Sequence, residues 1–261
     1  MNRSIKIALI QADLYWEDTV ANLQKFDKLL SKLSPDTDIV ILPEMFSTGF
    51  TMNIHNLEKP TGKTAFEWLK KKSQALDKPM IGSILTEYAD KYYNRMYWMR
   101  PDAGFEYYDK HHLFHMGNEH LVMTAGTQRV IVEHQGFKFL LQICYDLRFP
   151  VWSRNTYYQK DDTYAYDAII YIANWPESRK QAYSSLLKAR AIENQAYVVW
   201  VNRIGEDDKK NIHSGDTQVL NAQGNIIGQK NAFEEGILYA EINLDTLRLF
   251  RNRFKVGLDW D

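Results

Sequence analysis

Lys6 to Gln11, KIALIQ, is mostly apolar and predicts a strand. Val20, Leu23, Phe26, Leu30 and Leu33 then recur at steps of three or four, which predicts a helix with one apolar face. Pro35-Asp36-Thr37-Asp38 breaks it. Ile39-Val40-Ile41-Leu42 is a continuous apolar run, as expected of a strand covered on both faces, and it ends at Pro43-Glu44. Met45 to Pro60 reads as loop, Thr64 to Leu76 as helix and Met80 to Leu85 as strand. Tyr93–Met99 and Phe105–Tyr108 predict an antiparallel pair around Arg100-Pro101-Asp102-Ala103-Gly104, running into Asp109-Lys110-His111-His112.

Leu113 to Gln128 has weak periodicity, contains Glu119, and reads as a long functional loop. Arg129–Glu133 and Phe137–Ile143 form a second predicted hairpin around Gln135-Gly136, and its second strand stops at Cys144. A segment rich in Tyr and Asp follows without clear pattern. Ala168–Ala173 is a buried strand leading to Asn174-Trp175-Pro176. Arg179–Asn194 is a helix and Tyr197–Asn202 a strand; the remainder reads as short strands and turns. No linker or low-complexity segment interrupts residues 1–261, which predicts one domain. Lys6–Glu44 and Phe137–Asn174 both mix apolar strands with a functional-looking end, which hints at two sheets with helices outside.

Composition changes this picture little. Thirty-two basic and 33 acidic residues leave a net charge of −1, so nothing points to nucleic acid. No run approaches the roughly 18 apolar residues of a membrane span, and Met1-Asn2-Arg3-Ser4-Ile5 is not a signal peptide. One cysteine excludes an internal disulfide and, without an export signal, fits the cytoplasm. Sixteen Tyr and seven Trp are many for this length; most are expected in the core and some in a pocket wall or a subunit interface.

The candidate chemistry sits at strand ends. Glu44, Lys110 and Cys144 each follow a predicted strand, 66 and 34 residues apart. Taken singly, each has an ordinary explanation: a solvated turn acid, a surface amine, a buried core thiol. Together they are the parts of acyl transfer. The carboxylate takes the thiol proton, the thiolate attacks, and the ammonium with the Tyr145 N–H holds the oxyanion. A Cys–His pair using His111, His112 or His115 is an alternative, as is a protein that binds without catalysis.

Three local sequences carry more than their spacing. Leu42-Pro43-Glu44-Met45-Phe46, Asp109-Lys110-His111-His112-Leu113 and Cys144-Tyr145-Asp146-Leu147-Arg148-Phe149-Pro150 together resemble the nitrilase superfamily of carbon–nitrogen hydrolases. Ile10-Gln11, Ala173-Asn174-Trp175-Pro176, Ala189-Arg190-Ala191-Ile192-Glu193-Asn194 and Gly215-Asp216-Thr217 extend the likeness over nearly the whole chain. The resemblance implies an α/β four-layer αββα sandwich, paired as a homodimer, with no metal and no organic cofactor. It implies Glu44 as general base, Lys110 as stabiliser of the tetrahedral intermediate and Cys144 as nucleophile. Glu119, seven residues before Gly126, fits the place of an assisting second glutamate.

Within the superfamily the wording is most similar to the bacterial branch of the omega-amidases. These hydrolyse the terminal amide of small 2-oxo dicarboxylic acid monoamides, 2-oxoglutaramate and 2-oxosuccinamate. An N-carbamoyl amidohydrolase is the alternative within the superfamily. A substrate of the first kind needs a cation for its distal carboxylate, for which Arg148 is the nearest candidate unless it is tied to Asp146. Phe46, Phe50 and Trp175 are candidate pocket walls. Arg190 is expected to brace the site or the dimer.

Overall fold

The computed structural model describes residues 3–54, 57 and 61–260. Strands β1 (Ser4–Gln11), β2 (Ile39–Ile41), β3 (Met80–Tyr88), β4 (Lys91–Met99) and β5 (Phe105–Asp109) come first, with helices α1 (Thr19–Leu30) and α2 (Thr61–Leu76) between them. The short helix α3 (Glu119–Val122) precedes β6 (Ile131–His134) and β7 (Phe137–Ile143). A 3₁₀ turn, Cys144–Arg148, and helix α4 (Pro150–Ser153) lead to the short pair β8 (Tyr157–Tyr158) and β9 (Thr163–Tyr164). Then come β10 (Ala168–Ala173), helix α5 (Lys180–Asn194), β11 (Tyr197–Asn202) and the small pair β12 (Ile204–Glu206) and β13 (Ile212–Ser214). Strands β14 (Gln218–Leu220), β15 (Ile226–Gln229) and β16 (Gly236–Asn243), helix α6 (Leu244–Arg253) and a 3₁₀ turn, Val256–Asp259, come last.

Two six-stranded sheets result, ordered β16-β1-β2-β3-β4-β5 and β15-β14-β11-β10-β7-β6. Each has a parallel centre, β1-β2-β3 in one and β7-β10-β11 in the other, flanked by antiparallel strands. The alternation along a strand decides which layer each side chain joins. In β1, Ile5, Ile7 and Leu9 point between the sheets and pack with Phe137, Phe139 and Leu141 of β7. Ala8 and Ile10 point the other way, against Leu23, Phe26 and Leu30 of α1 and Leu69 of α2. Tyr183, Leu187 and Ala191 of α5 cover the far face of the second sheet. The order of layers is therefore helix, sheet, sheet, helix, the four-layer sandwich expected from the sequence.

Several details differ from expectation. Val20 fits the helical period yet is exposed, because the face of α1 that meets the sheet is set by Leu23, Phe26 and Leu30. The second helix starts earlier, at Thr61, and the strand after it runs on to Tyr88. The expected loop Leu113–Gln128 contains a 3₁₀ turn and α3. Part of the expected loop Met45–Pro60 lies outside the described residues, as do Met1 and Asn2. The largest omission is α6, read as strand and turn. Asn243 caps it by accepting from the Thr246 N–H at 2.8 Å, and it buries Leu244, Leu247 and Arg251. Only two of its apolar residues are buried, so the periodic signal is thin. Arg251 replaces a hydrophobe as the anchor, held by Asp167 at 2.7 Å and the Gln195 carbonyl at 2.9 Å.

Candidate active site

In open α/β sheets ligands gather beyond the carboxyl ends of the parallel strands, and here the central strands of both sheets deliver residues to one cavity. It measures about 530 Å³, and Glu44, Lys110, Cys144 and Asn174 are among its lining residues. Glu44 follows β2, Lys110 follows β5, Cys144 follows β7 and Asn174 follows β10. The turns after β2 and β7 are sharp: Met45 has φ +43° and Cys144 φ +43°, left-handed values that side chains other than glycine rarely adopt.

Lys110 is fully buried between two carboxylates. Its Nζ lies 2.9 Å from Glu44 Oε1 and 3.0 Å from Glu119 Oε2. Asn94 of β4 donates its amide to both acids, at 2.8 Å to Glu44 and 3.3 Å to Glu119. Backbone also donates to each acid: Asn174 N–H to Glu44 Oε2 and Phe114 N–H to Glu119 Oε2, both at 2.7 Å. The loop carrying Glu119 is pinned back onto β5, where Gly126 N–H donates to the Lys110 carbonyl at 2.9 Å. A Cβ on Gly126 would stand 2.1 Å from the Asp109 carbonyl oxygen, so only glycine permits that approach.

The charges follow from this packing. Burial works against the Lys110 ammonium, but Glu119, Glu44 and Cys144 outweigh it and raise its pKa. Burial pushes the Glu119 carboxyl up, against the pull of Lys110. Burial, then the charge of Glu44, holds the Cys144 thiol well above its ordinary range, with Lys110 and the Asn174 N–H acting the other way. This favours the thiol over the thiolate, and a thiol needs a base to take its proton before it can act as a nucleophile.

The elbow that bears Cys144 is fixed by Asp146, which is fully buried. Its carboxylate accepts from the Ile143 N–H at 3.0 Å, the His112 N–H at 3.0 Å and the Tyr108 hydroxyl at 2.7 Å. The His112 ring nitrogen lies 2.8 Å from the same carboxylate, and the ring stacks on Phe149. His111 stacks on Trp152 and meets the Gly126 carbonyl. Arg190 braces the far side by donating to the Leu147 carbonyl at 2.7 Å. His111, His112 and His115 do not line the cavity. His213 does, but burial and then the charge of Arg203 lower its pKa to about 4. The three histidines considered from the sequence are therefore not placed for a Cys–His pair, and His213 is the histidine that shares the cavity with Cys144.

Tyr145, Arg148, Trp175 and Phe50 line the cavity, and Phe46 does not. Phe46 faces the other side of the first sheet, packed edge-on against Phe26 at 5.5 Å and tilted against Trp68 at 5.7 Å. The reversal follows from the turn at Met45, which sends consecutive side chains to opposite layers. Asp146 is spent on the elbow. The Arg148 guanidinium instead lies over the Trp175 ring, 4.9 Å from its centre. Sequence reasoning passed over Asn94 and Arg179, gave Asn174 no role, and considered Asp146 only as an ion-pair partner for Arg148. Asn174 stood inside the matching Ala173–Pro176 stretch, and Asp146 inside the elbow sequence. Asn94 and Arg179 carried no signal, because an asparagine within a strand and an arginine before a helix are commonplace.

Comparison with known proteins agrees with this geometry. The chain is 42% identical to omega-amidase YafV of Yersinia enterocolitica, with 99% of this chain and 97% of the relative covered. It is 33% identical to 2-oxoglutaramate amidase of Bacillus subtilis, covering 91% and 90%. A solved structure, the CN-hydrolase superfamily protein XC1258 of Xanthomonas campestris, superposes with a TM-score of 0.93 at 35% identity, covering 99% and 97%. Residues 6–252 match the carbon-nitrogen hydrolase family, and the chain belongs to that family.

Proposed function

We propose that the protein is an omega-amidase that hydrolyses the terminal amide of small 2-oxo dicarboxylic acid monoamides to the dicarboxylate and ammonia. The observation that carries this reading is the convergence of the Cys144 thiol, the Lys110 ammonium and the Glu44 carboxylate in one cavity, with Lys110 Nζ 2.9 Å from Glu44 and 3.0 Å from Glu119, which stands behind the cavity wall. The omega-amidase and 2-oxoglutaramate amidase relatives supply the substrate class.

Glu44 takes the proton from Cys144 as Sγ forms its bond to the amide carbon. One Lys110 proton faces Glu44 and one is shared by the Glu119 oxygens, so a third N–H is free for the oxyanion. The Tyr145 N–H is the second donor. Glu44 passes its proton to the amide nitrogen, the C–N bond breaks and ammonia leaves a thioester on Cys144. Glu44 then takes a proton from water, whose hydroxide adds to the thioester carbon. Collapse releases the carboxylic acid, and the thiol regains its proton. Glu119 keeps Lys110 charged and in place. Arg148 pairs with the substrate's distal carboxylate, and Trp175 forms a wall. The reaction needs neither metal nor cofactor. We further infer one catalytic domain over residues 1–261, acting in the cytoplasm as a homodimer. Among the described residues no helix is long and apolar enough to cross a membrane.

The test is ammonia release from 2-oxoglutaramate and 2-oxosuccinamate beside N-carbamoyl amines and simple amides. Ammonia from the oxo acids, lost in Cys144→Ala, is the expected result. Carbon dioxide with ammonia from N-carbamoyl compounds, and none from the oxo acids, overturns the substrate assignment.

A further inference from the structure

We infer that Arg179 selects substrates that carry a carboxylate remote from the scissile amide, acting beside Arg148. This deepens the omega-amidase reading and rests on it. Arg179 lies just before α5 and lines the same cavity as Cys144. Its guanidinium stacks over the Phe114 ring, 5.1 Å from the centre. Arg148 stands in the same relation to Trp175, at 4.9 Å. Among the described residues no carboxylate pairs with either arginine. The other charged groups of the wall are already engaged or sit at its rim. Lys110 is held by Glu44 and Glu119. Asp207 accepts from Asn211 at 2.9 Å, and Asp208 and Lys209 are exposed.

A guanidinium laid on an aromatic face keeps its edge free while its plane is fixed, and that edge matches the two oxygens of a carboxylate. Two such groups, half-buried and unspent, suit an anion better than an apolar tail. The Arg179 platform also reaches the chemistry. Phe114 donates its N–H to Glu119 at 2.7 Å, and its ring meets Tyr145 edge-on at 5.0 Å. A carboxylate drawn to Arg179 is thus held by the segment that positions the catalytic ammonium, which fixes how far the amide lies from its anionic end.

The experiment compares Arg179→Met and Arg179→Lys with wild type. Methionine keeps an aliphatic stem over Phe114 and removes the fork. The paired substrates are 2-oxoglutaramate and 4-oxopentanamide, which has a methyl group in place of the carboxylate. Arg179→Met is expected to lower kcat/KM for 2-oxoglutaramate by about 10- to 100-fold, mostly through KM, and to change 4-oxopentanamide by less than about threefold. Arg179→Lys restores part of the loss. Equal losses on both substrates, or none on either, overturn the proposal. Calorimetric binding of 2-oxoglutarate separates this idea from the reaction assigned above. If wild type releases no ammonia from 2-oxoglutaramate, that assignment fails. Even then, 2-oxoglutarate binding that weakens in Arg179→Met supports the anion seat, and no binding to wild type overturns it.

Discussion

Asn174 donates its backbone N–H to Glu44 Oε2 at 2.7 Å across 130 residues of chain, and its side-chain amide donates to the Glu44 carbonyl. The first residue follows β10 of one sheet and the second follows β2 of the other. The position of Glu44, the proposed base, thus depends on both halves of the sandwich at once. Asn174→Ala keeps the N–H but frees the turn around Glu44. Because small misplacements of a catalytic group cost about 100-fold in rate, kcat is expected to fall by about 10- to 100-fold with KM little changed. Steady-state kinetics on 2-oxoglutaramate check it; a change in KM alone would remove Asn174 from the positioning of Glu44.

The second prediction concerns the thiol. Its pKa is raised by burial and then by Glu44, so the thiolate forms only as pH rises beyond the usual thiol range. Alkylation of wild type by iodoacetamide should be slow at pH 7 and still climbing above pH 9. Glu44→Gln removes the nearby negative charge, which lowers the thiol pKa. Alkylation near pH 8 should then accelerate although turnover is lost. A rate that is flat from pH 6 to pH 9 in wild type would mean a preformed thiolate and no need for a base.

The sequence carried the layer order and the reactive residues for different physical reasons. Continuous apolar runs such as Ile39–Leu42 and Ala168–Ala173 are legible because both faces of a central parallel strand are covered. Glu44 and Cys144 stood out because reactive side chains closely follow apolar runs, and Lys110 because it follows the second strand of a predicted hairpin. Asn94 was hidden because it is one polar residue inside a strand, and its value comes from two acids that only folding brings to it. Phe46 was misread for the opposite reason. It follows Glu44 in sequence, but a left-handed Met45 turns it into the layer facing α1 and α2. Helix α6 escaped because an ion pair, not an apolar stripe, holds its last turn.

The elbow makes a stability prediction. Asp146→Ala leaves the Ile143 N–H, the His112 N–H and the Tyr108 hydroxyl without their acceptor in a buried site. Each buried donor left unsatisfied costs about 1–3 kcal/mol, so the loss should be about 3 kcal/mol or more. For a chain of this size that corresponds to roughly 10 °C in Tm. Thermal unfolding measures it. Activity should fall further than the unfolded fraction explains, because the left-handed Cys144 loses its clamp. A variant with wild-type Tm and activity would mean that the elbow holds its shape through Arg190 and packing alone.

Glu119 makes the last prediction, through charge and not contact with substrate. Two carboxylates and one ammonium share a buried space, and burial raises the Glu119 pKa. As pH falls, Glu119 takes up a proton at a higher pH than a solvent-exposed carboxyl does, and Lys110 loses one of its two counter-charges. The acid limb of kcat should therefore include a step above the ordinary glutamate range. Glu119→Gln removes that step and also lowers kcat at its plateau by about 10- to 1000-fold, since the amide holds Lys110 without charge. Glu44→Gln should abolish turnover at every pH, because it removes the base itself. Rate profiles of the three proteins between pH 4 and pH 9 distinguish these roles: an unchanged acid limb in Glu119→Gln would place its titration outside the catalytic cycle, and equal losses in both variants would give Glu119 a share in proton transfer.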